Sequence, residues 1–251
     1  MARIPIALQL YSVREDCQKD LPGTLEAVAE MGYEGVDFAG YYGYEATAIR
    51  SMLDDLGLKV AGCHTGLDTL TGDALAETVA FNRILGNKYL VVPWIPESYR
   101  DSAEAWRRAA EVFNSIAARL APEGMVTGYH NHHVEFTPYE TGQTGWDILF
   151  SNTGPGVVMQ IDLGNALHGG ADPVAYLKRY PGRALTVHLK AYSAANDKAL
   201  IGEDDVDWAA VFDVVESQGS TDWYIVEQES YPYPPLESAR RCLQALKAMG
   251  K

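Results

Sequence analysis

The sequence predicts a single domain over residues 1–251 that folds as a (β/α)8 barrel, the architecture also called a TIM barrel. Three observations favour this α/β fold. Short apolar segments alternate with amphipathic segments along the whole chain, several apolar segments lack the in–out alternation of a half-exposed sheet, and 251 residues is an ordinary length for one such barrel. No low-complexity stretch or linker interrupts the pattern, so we expect one continuous domain.

The predicted strands are short and almost uniformly apolar. Segments such as LVVPW, VVMQID and WYIVE are typical of strands that are buried on both faces of a parallel sheet. Eight such segments are present, and they predict strands at Ile6–Ser12, Gly35–Ala39, Lys59–His64, Tyr89–Trp94, Met125–Asn131, Val157–Leu163, Ala184–Lys190 and Trp223–Glu229.

Each predicted strand is followed by a segment with apolar residues at helical spacing. The segments Thr24–Gly32 and Glu45–Gly57 end on glycine, which commonly terminates a helix. Asp172 and Pro173 mark a helix start, because aspartate caps a helix and proline fits its first position. The remaining helices are predicted at Asp73–Leu85, Glu104–Leu120, Trp146–Phe150, Asp172–Tyr180, Asp207–Gln218 and Leu236–Met249.

Charge and cysteine content exclude several classes of protein. The formal net charge of -14 opposes binding to nucleic acid or to an anionic membrane, and it argues mildly against a strongly anionic substrate. Cys17, Cys63 and Cys242 form no CxxC pair, which predicts neither a disulfide framework nor a cysteine-based zinc site. The N-terminal segment does not have the pattern of a signal peptide, and no apolar run is long enough to span a membrane, so we expect a cytoplasmic protein.

Polar side chains gather at the carboxyl ends of the predicted strands. In a barrel these ends face one rim, so residues distant in sequence become neighbours there. A mixture of carboxylates and imidazoles without thiolates suits a divalent ion such as Mn²⁺, Zn²⁺ or Mg²⁺, which would also neutralise the repulsion between the carboxylates. The side chains are His64 on the third strand, His130, Asn131, His132, His133 and Glu135 on the fifth, Asp162 on the sixth, His188 and Lys190 on the seventh, and Glu227 and Glu229 on the eighth.

Each of these residues also has an ordinary structural interpretation. An aspartate at a strand end commonly caps the next helix, a histidine in an apolar strand is commonly a core residue, and the carboxylates of VEQE could be solvated. Their joint occurrence on strands 5 to 8 favours the metal site. A second interpretation takes His130 and His132 as the ligands, because the HxH spacing places both on one face of a strand, and leaves Glu135 to the substrate.

Seven motifs spread over almost the whole chain resemble the sugar phosphate isomerase/epimerase family of xylose-isomerase-like TIM barrels. The superfamily includes ketose 3-epimerases, inosose dehydratases and, more distantly, endonuclease IV. Any one motif alone is weak, but together they are specific. The motifs are Leu8–Asp16, Gly32–Gly40, Gly128–Phe136, Gln160–Arg183, Val187–Lys190, Asp205–Phe212 and Tyr224–Glu229.

The resemblance implies a divalent metal held by Glu, Asp, His and Glu on strands 5 to 8. By position this assigns Asp162, His188 and Glu227 as ligands. On strand 5 many relatives have Glu-Asn-His, whereas this chain has His130 where the glutamate usually stands, so we assign Glu135 as the fourth ligand. Ala191 and the Gly202-Glu203-Asp204 loop also depart from the common pattern, which prevents transfer of the substrate's identity.

The resemblance further implies a metal-dependent sugar isomerase or epimerase that removes a proton α to the carbonyl of a ketose or related polyol. Loss of a β-hydroxyl from the same enediolate would instead give a dehydratase or lyase of the inosose or 3-keto-sugar type. A nuclease of the endonuclease IV kind is disfavoured by the net charge of -14. The partner is then a small sugar, and the YPYPP segment after strand 8 suits either a local lid or a contact in a homo-oligomer.

The roles expected of individual residues fall into two groups. The catalytic residues are predicted to be Glu227, His130 and Lys190, and the substrate-binding residues Arg14, His64, His132 and Trp94. An ordinary surface role for Arg14 fits its position equally well.

Overall fold

The computed structural model describes residues 3–140 and 142–251 as a closed barrel of eight parallel strands in sequence order, in which β8 pairs with β1. The predicted TIM barrel is therefore confirmed. The strands are β1 (Ile6–Gln9), β2 (Gly35–Phe38), β3 (Lys59–His64), β4 (Tyr89–Val92), β5 (Val126–His130), β6 (Val157–Asp162), β7 (Thr186–Lys190) and β8 (Trp223–Glu227).

Strand β1 ends at Gln9, earlier than the sequence predicts. The apolar pattern continues beyond it because Leu10 and Val13 are buried within a 3-10 turn. The Gln9 side chain accepts a hydrogen bond from the backbone N–H of Tyr11 at 3.0 Å, which stabilises the turn. The buried residues that lengthen the apparent strand therefore belong to the loop at the carboxyl end of the barrel.

Ten helices cover the outside of the barrel in the described residues. Gly32 and Gly57 follow two of them with φ of 93° and 68°, the left-handed conformation that glycine adopts without strain. The helices are α1 (Arg14–Lys19), α2 (Leu21–Met31), α3 (Ala46–Leu56), α4 (Ala74–Leu85), α5 (Ala103–Leu120), α6 (Gly145–Ser151), α7 (Leu163–His168), α8 (Pro173–Arg179), α9 (Trp208–Gln218) and α10 (Pro235–Ala248).

The sequence does not predict α1 and α7. Each has six residues, which is too short to show a helical period. Helix α7 begins directly after β6, and the Asp162 carboxylate caps it by accepting a hydrogen bond from the Asn165 N–H. In the described part of the chain, no helix has both the length and the apolar character needed to cross a membrane. The three cysteines are buried free thiols.

The interior of the barrel has two tiers that differ in polarity. Because side chains alternate along a strand, every second residue faces inward. We call the inward side chains near the amino ends of the strands the lower tier; they form an apolar cluster of Ala7, Ala61, Tyr89, Val91, Val158, Trp223 and Ile225. Those near the carboxyl ends, the upper tier, are polar and almost fully buried: Gln9, Asp37, His130, Gln160, Asp162, His188 and Glu227.

Candidate metal centre and active site

Four side chains of the upper tier meet at one point. Three of them end a strand: His130 ends β5, Asp162 ends β6 and Glu227 ends β8. The fourth, His188, lies near the end of β7, and all four side chains are buried. One potential ligand atom from each lies within 4.8 Å of those of the others. Two imidazoles and two carboxylates at this spacing can hold a divalent cation.

Asp162 supplies the observation that tests this fit most directly. Its Oδ1 accepts a hydrogen bond of 2.6 Å from the Asn165 N–H, but its Oδ2 is buried without a partner among the described residues. Burial raises the pKa of the carboxyl, and Glu227 raises it further, against the opposing effect of Lys190. A bound cation would give the free oxygen a partner and return the group to its ionised form, so the residue fits a metal.

Gln160 determines which nitrogen of His130 is available. The Gln160 Nε2 donates to Thr186 Oγ1 at 2.9 Å, so its Oε1 is the acceptor for His64 Nε2 at 2.8 Å and His130 Nδ1 at 3.2 Å. His130 then carries its proton on Nδ1 and leaves the Nε2 lone pair for a cation. Burial and the neighbouring His188 and His64 lower the pKa of His130 well below its ordinary value, which keeps the imidazole neutral.

His188 lies between two carboxylates. Its Nδ1 is 2.7 Å from Glu227 Oε2, and its Nε2 is 3.2 Å from Asp37 Oδ2. Burial lowers the pKa of His188, but the hydrogen bonds with Asp37 and Glu227 outweigh it and raise the pKa to about 9. Because Asp37 engages Nε2, a cation held together with Glu227 would take the place of the proton on Nδ1.

The Lys190 side chain forms ion pairs with two glutamates, Glu227 at the end of β8 and Glu229 in the loop that follows it. Its ammonium donates to Glu227 Oε1 at 3.2 Å and to the Glu229 carboxylate. Burial raises the pKa of Glu227, but Lys190 and His188 outweigh it and hold the pKa well below its ordinary value. Glu227 is therefore an ionised carboxylate at neutral pH.

Asp37 is a buried residue of this site that the sequence reasoning missed. It lies inside β2 rather than at its end, and its Oδ2 also accepts a hydrogen bond of 2.9 Å from Gln9 Nε2. The β2–β3 pairing shifts register beside it, and a Cβ on the facing Gly62 would lie 2.8 Å from Asp37 Oδ1. A charged residue within the apolar segment GVDF was the signal that could have revealed it.

Glu135 does not join the cluster of His130, Asp162, His188 and Glu227. It lies in a buried 3-10 turn after β5, where its carboxylate accepts hydrogen bonds from the Tyr129 hydroxyl and the His132 N–H, both at 2.8 Å. On β5, the residue that joins the cluster is His130. The structure therefore gives Glu135 the contacts of a residue that holds the HNHHVE loop in place.

An open cavity of 510 Å³, which we call the central cavity, lies against the cluster. Of the residues expected to bind substrate, His64, His132 and Trp94 line it, and so do Glu227 and His130. The Trp94 ring is half-exposed, and the Arg100 guanidinium stacks on it with 4.1 Å to the ring centroid. The cavity thus combines polar groups with an aromatic surface, as carbohydrate sites commonly do.

A model of the protein family described as "Xylose isomerase-like TIM barrel" matches residues 25–249. The chain belongs to this family. The resemblance read from the sequence motifs is therefore confirmed.

Several relatives of this xylose isomerase-like barrel cover most of its length. An inosose dehydratase of Clostridium botulinum is 25% identical over 88% of both chains. A rhizopine catabolism protein of Rhizobium meliloti is 26% identical over 83% of this chain and 74% of that protein. The crystal structure of a sugar phosphate isomerase/epimerase from Parabacteroides distasonis has a TM-score of 0.84 and 25% identity, and the match covers 98% of each chain.

Arg14 is the predicted substrate-binding residue that does not line the central cavity of this xylose isomerase-like barrel. Its guanidinium stacks on the Tyr11 ring at 4.4 Å and donates hydrogen bonds to the Tyr231 hydroxyl and the Tyr11 carbonyl. Tyr11 itself lines the cavity. Arg14 therefore supports an aromatic wall of the site from behind.

Proposed function

We propose that this protein is a divalent-metal-dependent sugar isomerase or epimerase that removes a proton α to the carbonyl of a ketose or related polyol. The observation that carries the proposal is the buried cluster of His130, Asp162, His188 and Glu227 beside the central cavity. The sugar isomerase/epimerase and dehydratase names of the relatives are consistent with this class of chemistry.

The four cluster residues would hold the cation, with His130 in place of Glu135 as the ligand from strand 5. Their two nitrogens and two oxygens suit Zn²⁺ or Mn²⁺ better than Mg²⁺, which prefers an all-oxygen shell. A cation held here supplies a Lewis acid that polarises the substrate carbonyl and so acidifies the neighbouring C–H group.

Proton transfer is assigned to the residues at the edge of the cluster. Glu227 is ionised and faces the central cavity, so it can accept the α proton. His130, the second residue predicted to be catalytic, would act as a ligand through Nε2 in the metal-loaded protein, because its lowered pKa makes the imidazole a weak base. The Lys190 ammonium, which contacts Glu227, can hold a substrate oxygen as negative charge develops on it.

Substrate orientation is assigned to His64, His132 and Trp94. His132 Nδ1 is buried without a hydrogen-bond partner among the described residues, and burial lowers the pKa of this imidazole to about 4. It is therefore a neutral group that can exchange a hydrogen bond with a sugar hydroxyl. The Trp94 ring can pack against the apolar face of the sugar, and Arg14 contributes by fixing Tyr11.

Dehydration of an inosose or 3-keto-sugar is the second candidate function. It is favoured by the inosose dehydratase of Clostridium botulinum, whose alignment covers 88% of both chains. The first step would be the same removal of an α proton, and loss of a β-hydroxyl would replace reprotonation.

One experiment tests both candidates. The protein is stripped with a chelator, reloaded with Mn²⁺, Zn²⁺ or Mg²⁺, and incubated with fructose or an inosose in D2O. Solvent deuterium in the recovered sugar, observed by NMR, supports the isomerase or epimerase, whereas an absorbing enone product supports the dehydratase. Absence of both with every metal, or full activity in the stripped protein, would overturn the proposal.

We further propose that the protein acts in the cytoplasm on a small sugar and binds neither nucleic acid nor membranes, which accords with its net charge of -14 and its three free thiols. Assembly into a homo-oligomer remains part of this proposal, and light scattering of the purified protein would test it.

A further inference from the structure

The central cavity has a neighbour on the side of strands β6, β7 and β8. This second space of 380 Å³, which we call the flanking cavity, lies between α7 and the loops that follow β7 and β8. Glu229 lines both cavities, and Lys190, which is paired with Glu229, lines the flanking one. The two cavities are therefore adjacent, and the Lys190–Glu229 ion pair lies at their boundary.

The flanking cavity is lined by groups that can bind hydroxyls. Among the described residues, neither the Tyr192 hydroxyl nor the Asn196 Nδ2 has a hydrogen-bond partner, and the Tyr192 ring is stacked with His168 at 6.3 Å. Amides, hydroxyls and an aromatic face are the groups with which proteins hold a sugar ring. None of them is engaged by the cluster that we assign to the metal.

The charges around the two cavities oppose an anionic ligand. Lys190 is the one lysine or arginine among the residues that line them, and it is already engaged by Glu227 and Glu229. Asp197 adds a further carboxylate to the flanking cavity. A phosphate placed there would meet carboxylates and would have to compete with Glu227 and Glu229 for Lys190, so an uncharged ligand is favoured.

The space available also exceeds one small ring. The central cavity alone, at 510 Å³, lies within the range of roughly 300–1,000 Å³ in which proteins enclose an entire small ligand. The flanking cavity adds 380 Å³ beside it. A single monosaccharide at the cluster would leave the flanking cavity to water.

We propose that the natural substrate is an uncharged glycoside of at least two rings. The ring that carries the carbonyl occupies the central cavity, the second sugar occupies the flanking cavity, and the glycosidic bond passes over Lys190 and Glu229. This inference rests on the proposed function for the chemistry of the first ring, and it adds the class of substrate.

The test compares binding of matched carbohydrates to the Mn²⁺-loaded protein by isothermal titration calorimetry. The probes are fructose, three disaccharides that contain fructose (lactulose, turanose and isomaltulose), and fructose 6-phosphate. We expect at least one disaccharide to bind at least tenfold more tightly than fructose, and fructose 6-phosphate to bind no more tightly than fructose.

A pair of variants locates the second ring. Ala194 is exposed and lines the flanking cavity, whereas its exposed neighbour Ala195 does not. Ala194→Trp should fill the cavity and bring the affinity for the disaccharide down to that for fructose. Ala195→Trp, the matched control, should retain the preference, and circular dichroism should show that both variants are folded.

The outcomes separate this inference from the proposed function. Disaccharides that bind no more tightly than fructose, a preference that Ala194→Trp leaves intact, or tightest binding of fructose 6-phosphate would each overturn the two-ring substrate alone. A disaccharide preference without deuterium exchange under any metal would instead overturn the isomerase chemistry and leave the substrate class standing. Absence of binding by every probe would overturn both.

Discussion

The two tiers of the barrel interior are equally buried but have opposite chemistry. On strand β8, Ile225 faces the apolar lower tier, and Glu227, two residues later on the same face, belongs to the polar upper tier. Neither side chain is more than slightly exposed. The degree of burial therefore does not distinguish the lower tier, which stabilises the barrel, from the upper tier, which we assign to function. The two tiers differ instead in polarity and in the hydrogen bonds that their buried side chains make.

The upper tier contains buried polar atoms that the protein itself does not satisfy. Asp37 Oδ1 and Asp162 Oδ2 have no hydrogen-bond partner among the described residues, although both are buried. Such atoms cost free energy, on the order of 1–3 kcal/mol each. The lower tier thus stabilises the fold by apolar packing, whereas the upper tier contains two oxygen atoms whose burial costs free energy.

The largest effect should come from Glu227→Gln. This variant keeps the shape of the side chain but removes the base and a metal ligand, so we expect turnover to fall on the order of 10³-fold or more. Thermal stability should fall as well, because the buried Lys190 and His188 lose a charged partner. Steady-state kinetics and thermal unfolding measure the two quantities. Glu216→Gln, on a carboxylate remote from the cluster, is the control, and activity within tenfold of wild type in Glu227→Gln would remove this residue from the mechanism.

Ile225→Ala should give the opposite result. It leaves a cavity in the lower tier, so the free energy of unfolding should fall by about 2–5 kcal/mol. Metal affinity should stay within about twofold of wild type, because Ile225 packs in the apolar cluster and contributes no ligand. Denaturant unfolding and metal titration test this, and a parallel loss of affinity would show that the tiers are coupled.

Asp37→Asn should weaken metal binding without abolishing the fold. Asp37 holds His188 through Nε2, and loss of a carboxylate behind a metal-bound histidine commonly reduces affinity about 10–100-fold. Competition with a fluorescent chelator measures the dissociation constant. Asp222→Asn is the matched control, since Asp222 contacts Lys88 and Tyr89 at the other end of the barrel, and equal affinities in the two variants would contradict the role of Asp37.

Asp162→Asn should stabilise the metal-free protein at high pH. Burial raises the pKa of Asp162 to about 7, so its stabilising contribution is complete below about pH 4 and is lost as the pH rises through 7. The variant avoids this loss and still caps α7. We expect a gain of about 1–3 kcal/mol at pH 8 and little or none at pH 4. Denaturant unfolding at the two pH values tests this, and a pH-independent difference would contradict it.

The sequence predicted the barrel well because its strands and longer helices have distinct patterns. The predicted bounds Lys59–His64 agree with those of β3, and the helix predicted at Glu104–Leu120 begins one residue after α5 does. Predictions extended too far where buried residues continue past a strand, as at Leu10. They missed α1 and α7, because hydrophobic periodicity cannot reveal a helix of six residues.

The candidate site was only partly predictable for a different reason. Strand ends identify residues such as Asp162 and Glu227, because the carboxyl ends of all strands in a barrel face one rim. A residue beyond the strand has no fixed direction, so the spacing could not place Glu135, whose carboxylate is taken up by Tyr129 and the His132 N–H. Asp37 was missed because it lies within a strand, where only the partners supplied by distant strands show its role.

The absence of a side chain at Gly62 constrains how this sequence can evolve. Even a methyl group at that position would lie 2.8 Å from Asp37 Oδ1, so the carboxylate would have to shift away from it. An ancestor or descendant that acquired a larger residue at position 62 would have to move or replace the aspartate in the same lineage. Aligned relatives should therefore show covariation between these two columns, and Gly62 would mark which of them retain a carboxylate behind the histidine.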